Sequence, residues 1–189
     1  MTDAAVINTR LRIEGFVFLA LFALSVPAAN WIIGNLGTTC IKDGPCLVPV
    51  APGLMAPSSV MIIGLAFVLR DMIQRRLGAS WALVAIGIGG ALSGLVAPKA
   101  LVVASVTAFL LSELADFAVY TPLQKKGLVL AVFASSIVGL VVDSLIFLQL
   151  AFGSLDHLLG QVVGKAWMVV LALPFVRWLR ERDRRLGIA

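Results

Sequence analysis

The chain has 189 residues, a formal net charge of +5, 60% hydrophobic residues and only 13% charged ones. Its mean hydropathy is +1.04, and a soluble domain would carry about 25% charged residues, so a soluble globular class is excluded. The positive balance then speaks for membrane orientation and not for nucleic acid.

Apolar runs long enough to cross a bilayer recur along the sequence. They predict an all-α membrane protein of about six spans, organised as a single integral-membrane transporter domain over residues 1–189. Arg10 and Arg12 precede the first run, 16–36. It is read as a span kinked near Pro27 and not as a cleaved leader. The loop 37–54 is rich in Gly and Pro and holds Cys40 and Cys46 around a turn at Lys42-Asp43-Gly44-Pro45. A second span is expected over 55–73, with Pro57 in its first turn. A third, 81–97, is crowded with small residues. Pro98-Lys99 makes a tight hairpin into the fourth, 100–120. The fifth covers 128–152 and the sixth 158–178, and a basic tail from Arg177 to Arg185 carries five arginines.

Charge placement orients these spans. With a cytoplasmic N-terminus, Arg10, Arg12, Arg70, Arg75, Arg76, Lys125, Lys126 and the tail arginines fall inside, and only Lys42 and Lys99 outside. That asymmetry predicts six spans with both termini cytoplasmic and a multi-pass protein of the plasma (inner) membrane. Cys40 and Cys46 then face an oxidising compartment. A disulfide and two free thiols are both open readings, and no metal partner lies nearby.

Gly90 and Gly94, like Gly160 and Gly164, form small-x-x-x-small pairs that bring helix backbones together. Packing inside one chain is the simple reading, and contact in a homodimer is the other. Trp31, Trp81 and Trp178 suit interfacial anchoring. Trp167 sits deeper and is a candidate to stack on a flat ligand.

The polar residues inside the spans carry the function, because a carboxylate in hydrocarbon is costly. Two segments look alike. Asp116 and Asp143 are each followed four positions later by an aromatic, Tyr120 and Phe147, and seven later by a leucine, Leu123 and Leu150. Their helices run in opposite directions. A rise of about 1.5 Å per residue places Asp143 about 22 Å from the cytoplasmic start of its span and Asn30 about 21 Å into the first. Lys165 lies about 10 Å from the outer end of the sixth, so these three share a layer. Pairing lowers the cost of buried charge, so Lys165 and Asp143 are expected to interact. A second layer lies nearer the cytoplasm. Glu113, Asp116 and Tyr120 share one helix face at i, i+3, i+7, and Asp71 is comparably deep. Arg70 and Arg75 are the expected counter-ions. The substrate-binding set is read as Asp143, Glu113, Lys165, Asn30, Trp167 and Gln149. A gate or ion-pair network is read as Asp71, Asp116, Arg70, Gln74 and Tyr120. Interhelical hydrogen bonding is the alternative for Gln149 and Gln161.

Some chemistries find no residues. There is no phosphate-binding lysine loop. The single histidine, His157, sits in a loop, so neither a zinc site nor a Ser–His dyad is expected. No metal, cofactor or catalytic residue is expected, and transport fits better than enzyme action.

The acidic helices and the end of the second span resemble the queuosine precursor transporter family, small six-span proteins also called vitamin-uptake-type transporters. That family's second span ends in a pattern like Asp-x-x-Asn-Glu-x-Tyr-Gly. Here Asp71 and Gly78 match it, Gln74 is near, and Arg75 and Leu77 depart. Glu113 with Asp116, then Leu123 and Lys125-Lys126, match the fourth span. Ser135, Ser136, Asp143 and Phe147 match the fifth, and Lys165 the last. The resemblance covers 55–178. It implies uptake of 7-cyano-7-deazaguanine or a related deazapurine for tRNA modification. The layout is also similar to the substrate-binding subunits of energy-coupling-factor vitamin transporters, which need a separate ATPase module. A small intramembrane enzyme acting on lipid is the third reading, and it would need metal-bound carboxylates.

Overall fold

The computed structural model describes residues 3–41 and 44–188. Lys42 and Asp43, in the expected turn, lie outside the described residues. Six α-helices are present among those residues: α1 (Asp3–Asn35), α2 (Val60–Leu77), α3 (Ala79–Val96), α4 (Val102–Leu123), α5 (Leu128–Phe152) and α6 (Leu158–Arg185). A short 3-10 turn, Lys99–Leu101, leads into α4. Backbone polar groups have no water to turn to in a bilayer, so a spanning apolar run closes its own hydrogen bonds as helix.

Five of the helices are long and apolar enough to cross a membrane, and α2 is not among them. Its 18 residues contain Arg70, Asp71, Arg75 and Arg76. The reason is its position. α2 packs against all five other helices, and every residue from Ala66 to Gln74 is buried. A helix enclosed on all sides by protein need not be apolar toward lipid. The other helices turn large apolar residues outward, Leu24, Leu95, Val103 and Leu171 among them.

The expectation of an all-α chain is corrected at one end. The region read as loop and helix start folds into a three-stranded antiparallel sheet, β1 (Thr39–Cys40), β2 (Cys46–Ala51) and β3 (Leu54–Pro57). Cys40 pairs with Cys46 across β1 and β2, and Leu47 pairs with Pro57 across β2 and β3. Cys40 and Cys46 are joined by a disulfide. Gly53, with φ of 73°, makes the turn between β2 and β3. Pro57 therefore ends a strand, and α2 begins at Val60, five residues later than expected. The apolar and β-branched run Leu47-Val48-Pro49-Val50 favours an extended backbone, and the sheet lies over the ends of α1 and α6. Ser58 Oγ donates to the Ile32 carbonyl at 3.0 Å. Gly160 approaches Met55 so closely that a Cβ there would overlap its carbonyl oxygen.

The small residues serve packing within the chain. Gly164 faces Val60, Gly90 faces Leu110, and Gly64 of α2 lies on the backbone of Lys165 in α6. At the opposite end, Glu14 of α1, Arg75 and Arg76 of α2, and Arg182 and Asp183 of α6 converge. The molecule thus has a sheet end and an arginine end.

Candidate functional site

Two buried charge clusters sit inside the bundle, with a cavity beside them. The first is centred on Lys165. Its ammonium lies 2.5 Å from Asp143 Oδ2, donates to Gln161 Oε1 at 2.6 Å and donates to Ser144 Oγ at 2.8 Å. Three donors thus meet three acceptors, and Lys165 has no exposed surface. The close crossing at Gly64 holds it there, because a side chain at that position would push α6 away from α2. Asp143 keeps 11% of its side-chain surface, so a solute meets the carboxylate and not the ammonium. Ser112 Oγ stands 3.5 Å from its other oxygen.

The second cluster is built on Arg70. Its Nη2 lies 2.9 Å from Asp71 Oδ1 and 2.5 Å from Asp116 Oδ1. Nε donates to Glu113 Oε2 at 3.2 Å, and Nη1 donates to Gln74 Oε1 at 3.2 Å. The guanidinium lies over the rings of Tyr120 and Phe117, 5.6 and 5.9 Å from their centroids. A planar fork with five donors can serve several carboxylates at once, which an ammonium cannot match. Ser135 Oγ donates to Asp71 Oδ2 at 3.1 Å, and Gln74 Nε2 donates to Thr121 Oγ1 at 3.0 Å. Both clusters are enclosed by helices, where an unpaired charge would cost several kcal/mol.

The cavity encloses about 70 Å³, on a scale where a single water needs about 10–15 Å³. Glu113 and Asp143 both line it, so it reaches each cluster from one side. Asn30 lines it from α1, with Nδ2 donating to the Val26 carbonyl at 3.0 Å. Its Oδ1 is thereby turned to act as an acceptor. Phe67, Phe109 and Phe147 supply aromatic walls, and Ser25, Ser59, Ser93, Ser105 and Ser112 supply hydroxyls.

Four residues stand apart from where the sequence reading puts them. Trp167 is 48% exposed, and its indole N–H donates to the Val50 carbonyl at 3.1 Å. It braces the sheet against α6 and does not line the cavity. Gln149 faces outward on α5, away from the cavity. Arg75 does not serve Asp71 but pairs with Asp183 at 3.1 Å. Arg70, counted among the cytoplasmic orienting charges, is wholly buried. Glu113 belongs to both groups, as a cavity wall and as a partner of Arg70.

Ser112, Ser144, Phe67 and Phe109 carry no signal in the sequence, because they look like any other span residue, whereas Phe147 stands out by its spacing from Asp143. Asp183 was also missed. Four arginines of its own tail surround it in sequence, and Arg182 among them lies 3.4 Å from it, yet its shorter bonds are to Arg75 and Arg76 of α2. Among the described residues, no group of three or more His, Cys, Asp or Glu is arranged to hold a metal ion.

Comparison with known proteins adds one finding. Residues 94–179 match a family model described as "Putative vitamin uptake transporter". No curated protein and no solved structure gives a significant match. The matched segment holds Glu113, Asp116, Asp143 and Lys165, while Arg70 and Asp71 precede it. The long apolar helices support a multi-pass membrane protein, and the segment 94–179 within it is similar to the vitamin uptake transporter family.

Proposed function

We propose that the chain takes up a queuosine precursor, 7-cyano-7-deazaguanine or a related deazapurine, across the plasma membrane. One observation carries the reading: a cavity with two carboxylates, Glu113 and Asp143, an amide at Asn30 and aromatic walls. A guanine-like base offers adjacent N–H and NH₂ donors, which suit a carboxylate. Its flat faces suit Phe67, Phe109 and Phe147. The asymmetry of the two carboxylates adds direction. Asp143 is tied to Lys165 through one oxygen, which leaves the other toward the cavity and Ser112.

Expression in a host unable to make queuosine precursors tests this. Queuosine should reappear in tRNA at low external 7-cyano-7-deazaguanine. A level equal to that with empty vector would count against it.

The description of the matched family favours a second reading, a vitamin-binding subunit of an energy-coupling-factor transporter. Co-purification of an ATPase pair would support that reading, and uptake by the chain alone would remove it.

A further inference from the structure

The Arg70 cluster is out of balance. Three carboxylates, Asp71, Glu113 and Asp116, face one guanidinium, and none of the four side chains has more than 2% of its surface exposed. The other titratable groups around it are accounted for. Asp143 on α5 stands beyond Glu113 and is engaged by Lys165 of α6. Arg75 of α2 is held by Asp183. α3 carries no charged residue, and Glu14 of α1 is held at the arginine end by Arg76 and Arg182. Two negative charges in excess cannot persist in so low a dielectric, and a buried carboxylate sheds its charge by taking a proton.

A metal cation does not fit as the balancing charge. The guanidinium already occupies the space between the carboxylates, and no metal-holding group is present among the described residues. A proton needs no such space. A second observation points the same way. The Tyr120 ring lies under Arg70, and its hydroxyl is fully buried with no hydrogen-bond partner among the described residues. A hydroxyl can both accept and donate, which suits a group passing a proton on. Glu113 opens the cluster to the cavity, and Gln74 with Thr121 continues it toward the arginine end.

We propose that the cluster of Arg70, Asp71, Glu113 and Asp116 is a proton-binding site that couples solute movement through the adjoining cavity to the proton gradient. At rest two of the three carboxyls hold protons, and the remaining carboxylate balances Arg70. A proton released from Asp116 or Asp71 toward the arginine end leaves a second carboxylate there, and a proton from the cavity side, passed on through Glu113, refills it and restores the neutral cluster. The coupling rests on the uptake reading above, whereas the proton site itself does not.

The full chain in liposomes tests both, with radiolabelled 7-cyano-7-deazaguanine as the probe. Counterflow without a pH gradient reports uptake itself. An imposed gradient of about one pH unit should then drive about tenfold accumulation for one proton per solute, and a protonophore should abolish it. In Asp116→Asn, at a residue that does not line the cavity, the ratio of gradient-driven to counterflow uptake should fall toward one. Counterflow with no response to the gradient overturns the coupling and leaves the uptake reading standing. Absence of counterflow removes the deazapurine reading, and infrared spectroscopy then decides the proton site. A protonated-carboxyl band in the unmodified chain at neutral pH, lost on alkaline titration, supports it. A chain whose buried carboxylates are all ionised at neutral pH overturns it, and this readout needs no variant to fold.

Discussion

Gly64 of α2 lies directly on the backbone of Lys165 in α6, where a Cβ would overlap the Lys165 carbonyl oxygen. This contact sets how far Lys165 reaches toward Asp143 on α5. Gly64→Val should push the helices apart at a cost of about 1–3 kcal/mol or more. A lower midpoint of thermal unfolding in detergent is the expected result, with Gly64→Ala intermediate. An unchanged midpoint for both would mean that the crossing is looser than the structure has it.

Asp143 and Lys165 should behave as a unit. Asp143→Asn or Lys165→Met leaves one buried charge alone, at about 3–5 kcal/mol. The double variant removes both charges and should be more stable than either single one. Unfolding midpoints of the four proteins form a cycle that measures the coupling. Additive losses would show that the two residues act separately. Uptake should fall in all three variants, because the carboxylate facing the cavity is gone or its partner is lost.

Arg70→Lys should fail to restore the protein. An ammonium is a point charge and cannot meet Asp71, Glu113, Asp116 and Gln74 together. Arg70→Leu should lose about 3–5 kcal/mol by stranding the carboxylates, and Arg70→Lys should recover only a fraction of that. Yield of folded protein and its thermal midpoint check this. Full recovery with lysine would argue that only charge, and not the fork, matters.

Asp183 gathers Arg75 and Arg76, with hydrogen bonds of 2.8 to 3.3 Å. Asp183→Asn keeps its shape and removes the charge. Hydrogen bonds to charged groups contribute about 1.5–3 kcal/mol each, so the arginine end should loosen. Faster amide hydrogen exchange over 180–188 and the start of α1 is expected, with the sheet end unchanged. Equal protection in both proteins would show that apolar packing alone holds α6 there.

The disulfide between Cys40 and Cys46 closes a short loop, with a sequence separation of 6. Loop-closure entropy gives such a link about 2 kcal/mol. Cys40→Ser with Cys46→Ser should lower the thermal midpoint and loosen the sheet, read as faster exchange over 46–57. Exchange at the arginine end should stay as it was.

The sequence by itself determined the class of this protein. Long apolar runs in a chain this poor in charge can only close their hydrogen bonds as helices in lipid. Counting rise per residue also placed Asn30, Asp143 and Lys165 at one depth, and in the structure Lys165 contacts Asp143 while Asn30 and Asp143 share a cavity. Depth follows from residue number because helical rise is constant. Which way a side chain turns, and which helix stands opposite, does not follow from it. Only the tertiary structure decided that Arg70 gathers three carboxylates, that Arg75 belongs to Asp183, and that Trp167 and Gln149 face away from the cavity. It also decided that α2 is enclosed by the other helices. That is why a helix not apolar enough to cross a membrane by itself can carry charges at the centre of the molecule.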